Sequence, residues 1–298
     1  MAKGKLTISI DLELAWGFWD SLTPEILRLA ESAELPICEK LLELFDRYEI
    51  PATWAIVSAM LDRNSPQGRP GNAAAWYAPG ILERIAAAKI SHEIGSHGGW
   101  HVYYDRMSAA QALDDLDYVK DMHRENGLAL VSFVYPRNRI GHLDLVAAAG
   151  LQTFRGPDTG WVRIAGKLWP SLGRLVTFSD KILPIPPAPA RPQSRGSLVD
   201  IPGSMLLSGR NGPRRYILPQ VTRAKLAAGL ASARRSGRTF HFWFHPCNFY
   251  YRSEEQFATL AWFLERAADE ASRGRIEICT MGSYAGHKDK ATAAMAAA

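Results

Sequence analysis

The sequence is poor in cysteine, in long apolar runs and in clustered charge, and each scarcity excludes a class of protein. Its three cysteines (Cys38, Cys247 and Cys279) are too few and too far apart for a disulfide framework or a cysteine-rich zinc knuckle. No apolar run reaches the roughly 18 residues that a membrane-spanning helix needs, and the first residues show no signal-peptide pattern. We therefore expect a protein without membrane insertion, located in the cytoplasm.

The formal net charge of +5 comes from scattered basic residues rather than from a dense Lys/Arg tract. Nucleic-acid binding needs a concentrated basic face, so we expect no nucleic-acid partner, although the basic excess is compatible with an anionic ligand. With 47% hydrophobic and 22% charged residues, the composition is that of a globular protein, and 298 residues can bury a large core.

Short apolar runs alternate with helical patterns along most of the chain. This alternation favours parallel strand pairing, and hence an α/β barrel or an open doubly wound sheet. Helical spacing over residues 26–48 predicts a helix that Pro36 breaks in two, and capping boxes are predicted to begin at Ser108 and Ser253. The predicted strands are residues 6–10, 52–57, 90–94, 130–134, 151–155, 239–244 and 276–280.

The alternation lapses between about residues 157 and 220, which contain a proline-rich stretch at 184–192. Because strands and helices of the same kind resume afterwards, we interpret this region as a long excursion within one domain, with strands of its own, rather than as an interdomain linker. The predicted domain covers residues 1–285, and residues 286–298 form a low-complexity C-terminal tail.

The first chemical motif is residues 8–17, ISIDLELAWG, in which an apolar strand ends in the carboxylates Asp11 and Glu13. Residues two apart on a strand point to the same side. Both side chains would then project from the strand's carboxyl end, where α/β barrels place their active sites. The alternatives are a helix cap or salt bridge for Asp11 and a solvated loop position for Glu13.

The second motif is residues 92–101, HEIGSHGGWH, which follow a short apolar strand. His97 and His101 are four apart, a spacing that on a helical turn presents two imidazoles to one ion. Neutral nitrogen ligands suit zinc or a similar divalent metal, although a purely structural role for the pair is the alternative. His92 precedes the strand, and we interpret it as a buried structural residue.

The third motif is residues 241–248, HFWFHPCN, in which His245 follows a buried aromatic strand and Pro246 ends the ladder. Imidazole titrates near neutral pH, which makes His245 a candidate general acid. His241 lies inside the strand and Cys247 has no obvious activating group. We interpret both as structural.

These three segments resemble the NodB-homology polysaccharide deacetylases, the fourth family of carbohydrate esterases. Asp11 matches the family's catalytic base, and Glu13 stands one position later than the family's metal-binding aspartate. His97 and His101 match the family's His-Ser/Thr-x-x-His motif, and His245 matches its final motif, an apolar strand that ends in histidine.

Other parts of the family pattern differ. The third motif, Arg-x-Pro-Tyr, is replaced by residues 133–138, in which Arg137 follows the proline, and Arg155 or Asp158 stands where the fourth motif is expected. The resemblance covers about residues 6–280, with the middle third unmatched. It implies a distorted (β/α)7 barrel of the NodB type with a long excursion around residues 157–220. It also implies a hydrolase that removes an N-acyl group, expected to be acetyl, from an amino sugar.

The same resemblance implies one bound divalent metal ion, expected to be zinc, that polarises the amide carbonyl and activates a water. Trp16, Trp100 and Arg155 are the expected contacts to the saccharide substrate, and Trp19 and Trp161 are further aromatic candidates. The implied reaction residues are the metal ligands Glu13, His97 and His101, the base Asp11, the acid His245, and Arg137 beside the negative charge of the intermediate.

The absence of an export signal favours a nucleotide- or lipid-linked saccharide precursor over a cell-wall polymer as the substrate. Two alternatives stay open. An enzyme of the same fold could act on another amide, such as a sugar N-formyl group or a cyclic ureide. The second alternative is a catalytically silent saccharide-binding protein. The retained Asp11 argues against it, because a protein that only binds saccharide has no use for a buried base.

Overall fold

The computed structural model describes residues 3–160 and 179–286 of the chain. Its helices with assigned bounds are α1 (Pro24–Ser32), α2 (Glu34–Tyr48), α3 (Ile81–Ala86), α4 (Ala109–Glu125), α5 (Leu143–Ala148), α6 (Pro219–Ser236) and α7 (Ser253–Ser272). Its strands are β1 (Gly4–Leu12), β2 (Thr53–Ile56), β3 (Glu93–Ser96), β4 (Ser132–Val134), β5 (Thr153–Arg155), β6 (Gln193–Arg195), β7 (Leu198–Asp200), β8 (Met205–Leu206), β9 (Thr239–Phe244) and β10 (Ile276–Ile278).

The strands form one sheet in the order β6-β7-β5-β4-β3-β2-β1-β9-β8, and β10 pairs with the first residues of β1. Neighbours on this path are parallel except for the β6–β7 hairpin. Strand β1 is central, with Ser9 opposite Thr53 on one side and Trp243 on the other. Parallel strands are buried on both faces, which explains why β1 and β9 are buried along almost their whole length.

The two ends of this path meet, because β7 and β8 are parts of one short segment. β7 pairs with β5, and the Ile201 amide continues that pairing by donating to Phe154 O at 2.9 Å. After Pro202 and Gly203, the Ser204 amide donates instead to His241 O of β9 at 2.9 Å. The segment thus fills the gap between β5 and β9. This arrangement confirms the expected distorted seven-position barrel in a single domain.

The predicted strands agree with the structure except in two respects. Residues 90–94 were predicted as a strand, whereas β3 begins at Glu93 and runs to Ser96. The closing position of the barrel lies inside the excursion, where β7 and β8 have three and two residues and are too short to give a sequence signal. The expected strands within the excursion are therefore present. The boundary at residue 285 stays a prediction, and the tail beyond residue 286 lies outside the described residues.

The helix predictions hold in part. The predicted break at Pro36 is wrong, because α1 and α2 are separated at Ala33, and Pro36 lies in the first turn of α2, where its missing N–H has no helical partner to lose. The capping box at Ser108 is confirmed. The one at Ser253 is wrong, because Arg252 takes the capping position with φ 52°. Within the described ranges, no helix combines the length and the apolar character that crossing a membrane requires.

The two faces of β1 have different neighbours. Leu6, Ile8, Ile10 and Leu12 are buried in the main hydrophobic cluster, together with side chains of α2, α6 and α7. Alternate residues face the barrel interior and are polar, and each is hydrogen-bonded there, as buried polar groups require: Thr7 to Tyr284, Ser9 to His241 and Asp11 to Arg155. The interior face of β1 is therefore a row of polar side chains that ends at the carboxyl edge of the sheet.

A substitution at Gly203 tests how tightly the segment between β5 and β9 is packed, because a side chain at this position would have no room. An added Cβ would lie 2.0 Å from Asp158 Oδ1 and 3.1 Å from Trp243 Nε1. We expect Gly203→Ala to lower the free energy of unfolding by about 1–3 kcal/mol, the usual effect of overpacking, in urea denaturation. The control is Gly209→Ala, whose Cβ would meet Asn248 Cα at an ordinary 3.5 Å. Equal stability of the two variants would contradict the closure.

Candidate active site

The structure brings together side chains from the carboxyl ends of four barrel strands. Asp11 and Glu13 come from the end of β1, His97 from the residue after β3, Arg155 from the last residue of β5, and His245 from the residue after β9. The carboxyl edge is where barrels of this type place their reactive groups. All are buried except His245, whose side chain is 21% exposed and opens to solvent.

Glu13 and the two predicted histidine ligands meet at one point. Glu13 Oε1 lies 2.9 Å from His97 Nε2 and 3.0 Å from His101 Nε2. The three candidate ligand atoms lie within 4.8 Å of one another, which is compact enough for a single ion. An overlapping group of Asp11, Glu13 and His245 meets the same distance limit. Both groups share Glu13, so its carboxylate is the common element of any metal site formed by the described residues.

The hydrogen bonds of His97 show that this donor set fits a cation. Its Nδ1 lies 2.7 Å from Val134 O, and since a carbonyl only accepts, Nδ1 must carry the proton. In the neutral ring, Nε2 then presents a lone pair to Glu13 Oε1 at 2.9 Å. Two facing lone pairs at this distance need a positive charge between them, either a proton or a metal ion. A backbone carbonyl on the outer nitrogen is also the usual partner of a metal-binding histidine.

The loop that carries the two histidines is not the helical turn that their spacing predicted. Residues 97–101 are irregular, with left-handed backbone at Gly98 (φ 79°) and at His101 (φ 56°). The carboxylate of Asp115, on α4, shapes this loop by accepting from the Gly99 amide at 2.8 Å and the Trp100 amide at 3.1 Å. Sequence reasoning missed Asp115, although an acidic residue on the apolar face of α4 was a signal for it.

Asp11 forms a buried ion pair with Arg155. The two terminal nitrogens of the guanidinium each lie 2.6 Å from one carboxylate oxygen, and Trp243 covers the guanidinium with its ring centroid 4.0 Å away. Burial would raise the pKa of Asp11, but the charge of Arg155 and of the nearby imidazoles outweighs it and holds the pKa below its ordinary value. Asp11 is therefore ionised at neutral pH.

His245 faces both carboxylates. Its Nε2 lies 3.4 Å from Glu13 Oε1 and 3.6 Å from Asp11 Oδ2. Burial lowers the pKa of His245, but the two carboxylates more than compensate and raise it to about 9. In the absence of other ligands, this imidazole is protonated at neutral pH.

His241 and Cys247 are structural, as expected. His241 donates from Nδ1 to Ile201 O at 3.1 Å and accepts at Nε2 from the Ser9 hydroxyl at 2.9 Å, so both ring nitrogens are occupied. Burial lowers its pKa to about 3. Burial also raises the pKa of the Cys247 thiol well above its ordinary value, which keeps it out of the reactive thiolate form.

Arg137 lines the same cleft, a cavity of about 300 Å³ that also exposes Asp11, Glu13 and His245. Its guanidinium donates to Gly17 O at 2.8 Å and to Asp20 Oδ1 at 3.0 Å. The Arg137 backbone is left-handed, with φ 54°. Such strain in a residue other than glycine costs about 1–3 kcal/mol and is concentrated at functional sites.

The structure corrects the predicted saccharide contacts at two tryptophans. Trp16 is buried, with Trp76 and Trp100 packed edge-on against its indole, so it presents no face to the cleft. Trp100 stacks on Tyr118 at 4.7 Å and lines a different cavity of about 470 Å³, together with Trp19. Neither tryptophan lines the cleft that contains Asp11.

The third predicted saccharide contact, Arg155, does line that cleft. Its side chain is nevertheless hydrogen-bonded to Asp11 and only 1% exposed. In the structure, Arg155 is therefore the ion-pair partner of the Asp11 carboxylate. Of the further aromatic candidates, Trp19 is 45% exposed beside the neighbouring cavity, and Trp161 lies outside the described residues.

Comparison with known proteins agrees with this geometry. Residues 33–149 match the family model for polysaccharide deacetylase. The chain also superposes on a protein from Mycobacterium smegmatis assigned as a polysaccharide deacetylase, with a TM-score of 0.67, 16% identity, and 96% of this chain and 91% of that one covered. A Pseudomonas aeruginosa PAO1 protein assigned to the same class gives a TM-score of 0.59 at 15% identity, covering 93% and 88% of the two chains.

The Puue allantoinase has the same fold, with a TM-score of 0.59, 16% identity, and 95% and 92% of the two chains covered. At these identities the similarity to solved structures establishes the fold. Among proteins with curated functions, none matches the sequence significantly.

The resemblance found in the motifs is therefore confirmed: residues 33–149 match the polysaccharide deacetylase family model, and the fold is of the NodB type. This family consists of hydrolases. That agrees with the predicted enzyme class, a carbohydrate de-N-acylase. The matched segment contains His97, His101 and Arg137 but neither carboxylate of β1. The places of Asp11 and Glu13 in the site thus rest on the geometry described above.

The Asp11–Arg155 pair makes a stability prediction. Arg155→Met keeps the apolar bulk but leaves a buried carboxylate without its counter-charge, so we expect a loss of about 3–5 kcal/mol in the free energy of unfolding. Arg139→Met is the matched control, because Arg139 pairs with Asp105 at the surface, where an ion pair contributes about 0–1 kcal/mol. A loss at Arg155 no larger than at Arg139 would show that the buried pair has no structural role.

Proposed function

We propose that this protein is a metal-dependent hydrolase that removes an N-acyl group, expected to be acetyl, from an amino sugar. The observation that carries the proposal is the convergence of Glu13, His97 and His101 on one point, directly beside the ionised carboxylate of Asp11. The polysaccharide deacetylase match over residues 33–149 supports the same reaction class.

The donor set supports zinc as the ion, since one carboxylate and two imidazoles are common ligands of catalytic zinc. When bound by Glu13, His97 and His101, the ion supplies Lewis-acid polarisation of the amide and activation of water. His101 is held for this role by its left-handed backbone, and His97 by its bond to Val134 O.

The remaining steps belong to the chain's own side chains. Asp11 Oδ2 accepts a proton from the attacking water, while Arg155 fixes the orientation of the carboxylate. The amine is a poor leaving group until it is protonated, and His245 Nε2 gives it that proton. His245 suits the part because it is the most exposed of the group, and its Nε2 lies 3.6 Å from Asp11 Oδ2.

Arg137 lies across the cleft from this pair. Its head group is anchored on Gly17 O and Asp20 by one terminal nitrogen, which leaves its other N–H donors available. A fixed cation of this kind stabilises the negative charge that develops on the amide oxygen.

Metal content is the first test of this proposal. The purified protein should hold about one divalent ion per chain, with zinc expected. His97→Ala should lose it, because two remaining protein ligands bind too weakly. His142→Ala is the control, since His142 contacts Met107 O and is no part of either candidate cluster. Elemental analysis of both variants decides, and full occupancy in His97→Ala would remove His97 from the site.

Two isosteric variants test the proposed role of Asp11 as the general base. Asp11→Asn cannot take the proton, so turnover should fall by about 10²–10⁴ while metal content persists. Glu13→Gln should reduce metal content and turnover together. Amine release from acylated amino sugars and metal content are measured side by side. Turnover of Asp11→Asn at the wild-type rate would place the base elsewhere, and a wild type without any amine release would favour a silent saccharide-binding protein.

A second candidate reaction is the hydrolysis of a cyclic ureide, which the allantoinase of the same fold supports. It differs from the first candidate in a measurable respect, since hydrolysis of a cyclic ureide releases no amine from an amino sugar. Allantoin should be inert here, and metal removal should abolish amine release from amino sugars. Turnover of allantoin by the metal-free protein would favour this candidate instead.

A further inference from the structure

Two cations at the mouth of the catalytic cleft form no direct ion pair with a described residue, although Asp180 and Asp158 lie near enough to Lys181 to act on its charge. Lys181 and Arg214 line the cleft that also exposes Asp11, Glu13 and His245. Within residues 3–160 and 179–286, neither side chain makes a salt bridge or a hydrogen bond. Lys181 is half-buried and Arg214 is exposed, so one lies inside the opening and the other at its rim.

The other basic side chains near the cleft already have acidic partners. Arg155 is paired with Asp11, Arg137 donates to Asp20, and Lys225 pairs with Asp180 at 2.7 Å. The sequence from 161 to 178 holds Arg163, Lys167 and Arg174 but no Asp or Glu, so it has no carboxylate to offer. The lining of the cleft therefore contains four guanidinium or ammonium groups against the two carboxylates Asp11 and Glu13.

Keeping Lys181 and Arg214 close together is unfavourable without an anion. Burial, followed by the charge of Arg214, lowers the pKa of Lys181 to about 8, although the carboxylates of Asp180 and Asp158 act in the opposite direction. At neutral pH, Lys181 is still mostly charged, in a partly dehydrated position beside another cation. Unpaired cations in a narrow opening are the arrangement by which proteins attract and hold anionic ligands.

We propose that Lys181 and Arg214 bind a phosphate group on the substrate, so that the enzyme acts on a phosphorylated amino sugar rather than on a neutral saccharide. This inference rests on the proposed function, because it assumes that the sugar occupies the cleft. The phosphate would lie at the cleft mouth, with the acylated nitrogen directed inward to Asp11 and His245. The basic charge balance of the whole chain favours the approach of such a substrate.

A second cavity leads away from the same cations. It has a volume of about 410 Å³ and shares Lys181, Leu206 and Ser208 with the catalytic cleft. Most of the exposed area of its lining is apolar, with contributions from Pro187, Met205 and Ile217, and the carboxylates Asp158 and Asp180 also line it. A phosphate held by Lys181 would direct its further substituent into this space. That substituent could be a nucleoside phosphate or a prenyl chain, since the phosphate chemistry is common to both sources.

Kinetics with matched substrates test the proposal. We expect N-acetylglucosamine 1-phosphate to give a kcat/KM about 10- to 100-fold higher than methyl N-acetylglucosaminide at low salt, the factor expected for a hydrogen bond between charged groups. Lys181→Met and Arg214→Gln should each reduce this ratio. Lys120→Met, at a surface pair with Asp117, should leave it unchanged. Uridine-diphosphate and prenyl-phosphate derivatives then identify which substituent raises kcat/KM further.

A binding measurement keeps this inference separate from the proposed reaction. Calorimetry of N-acetylglucosamine 1-phosphate against native and metal-depleted protein should show affinity that depends on Lys181 and persists without the metal. Such binding would support the phosphate site even if no sugar were ever deacylated. Binding that vanishes with the metal and is unchanged in Lys181→Met would place the phosphate on the ion and overturn the inference. So would equal kcat/KM values for the phosphorylated and the neutral sugar.

Discussion

The buried ion pair between Asp11 and Arg155 connects the barrel to its site. Removing a carboxylate and a guanidinium from water is costly, and a pair is tolerated only where every remaining donor finds a partner. Arg155 meets this condition fully: its five N–H groups are directed to the two oxygens of Asp11, to the Ser9 hydroxyl and twice to Asn138 Oδ1. The guanidinium therefore joins β1, β5 and the loop after β4 around one charge.

Several local features follow from this pair. Asn138 can reach Arg155 because its backbone is left-handed, as is that of Arg137 before it. Ser9 accepts from Arg155 and donates to His241, whose other nitrogen donates to Ile201 O in the closing segment. One chain of hydrogen bonds thus runs from the carboxylate of Asp11 to the backbone that closes the barrel. Such a connected network specifies a single arrangement of its members, because any gap leaves a buried polar group unpaired.

The sequence predicted the parts of the site that depend on position along a strand. Asp11, Glu13 and His245 were recognisable because polar residues at the ends of apolar strands must gather at one edge of a parallel sheet. His97 and His101 were found by their spacing, although the loop that presents them is irregular and is shaped by Asp115 from α4. The spacing was informative even though the conformation assumed for it was wrong.

Features that depend on tertiary packing were not predictable. The partnership of Arg155 with Asp11 spans 144 residues, and nothing local to either residue indicates it. Trp16 lies within the first motif, and only the packing of Trp76 and Trp100 around it shows that its ring is buried. The closing strands β7 and β8 are too short to generate a periodic pattern, and Pro202 and Gly203 between them read as a turn.

Charge is arranged in layers from the barrel interior to the cleft mouth. At the bottom, Asp11 is neutralised by Arg155, and Glu13 is surrounded by three imidazoles that leave it available to a cation. At the mouth, Lys181 and Arg214 form no direct ion pair within the part of the chain that the structure describes. A neutral saccharide would leave this outer positive charge unanswered, and a bound divalent ion would increase it. This gradient suits the proposed substrate, which carries a negative charge at one end and an uncharged amide at the other.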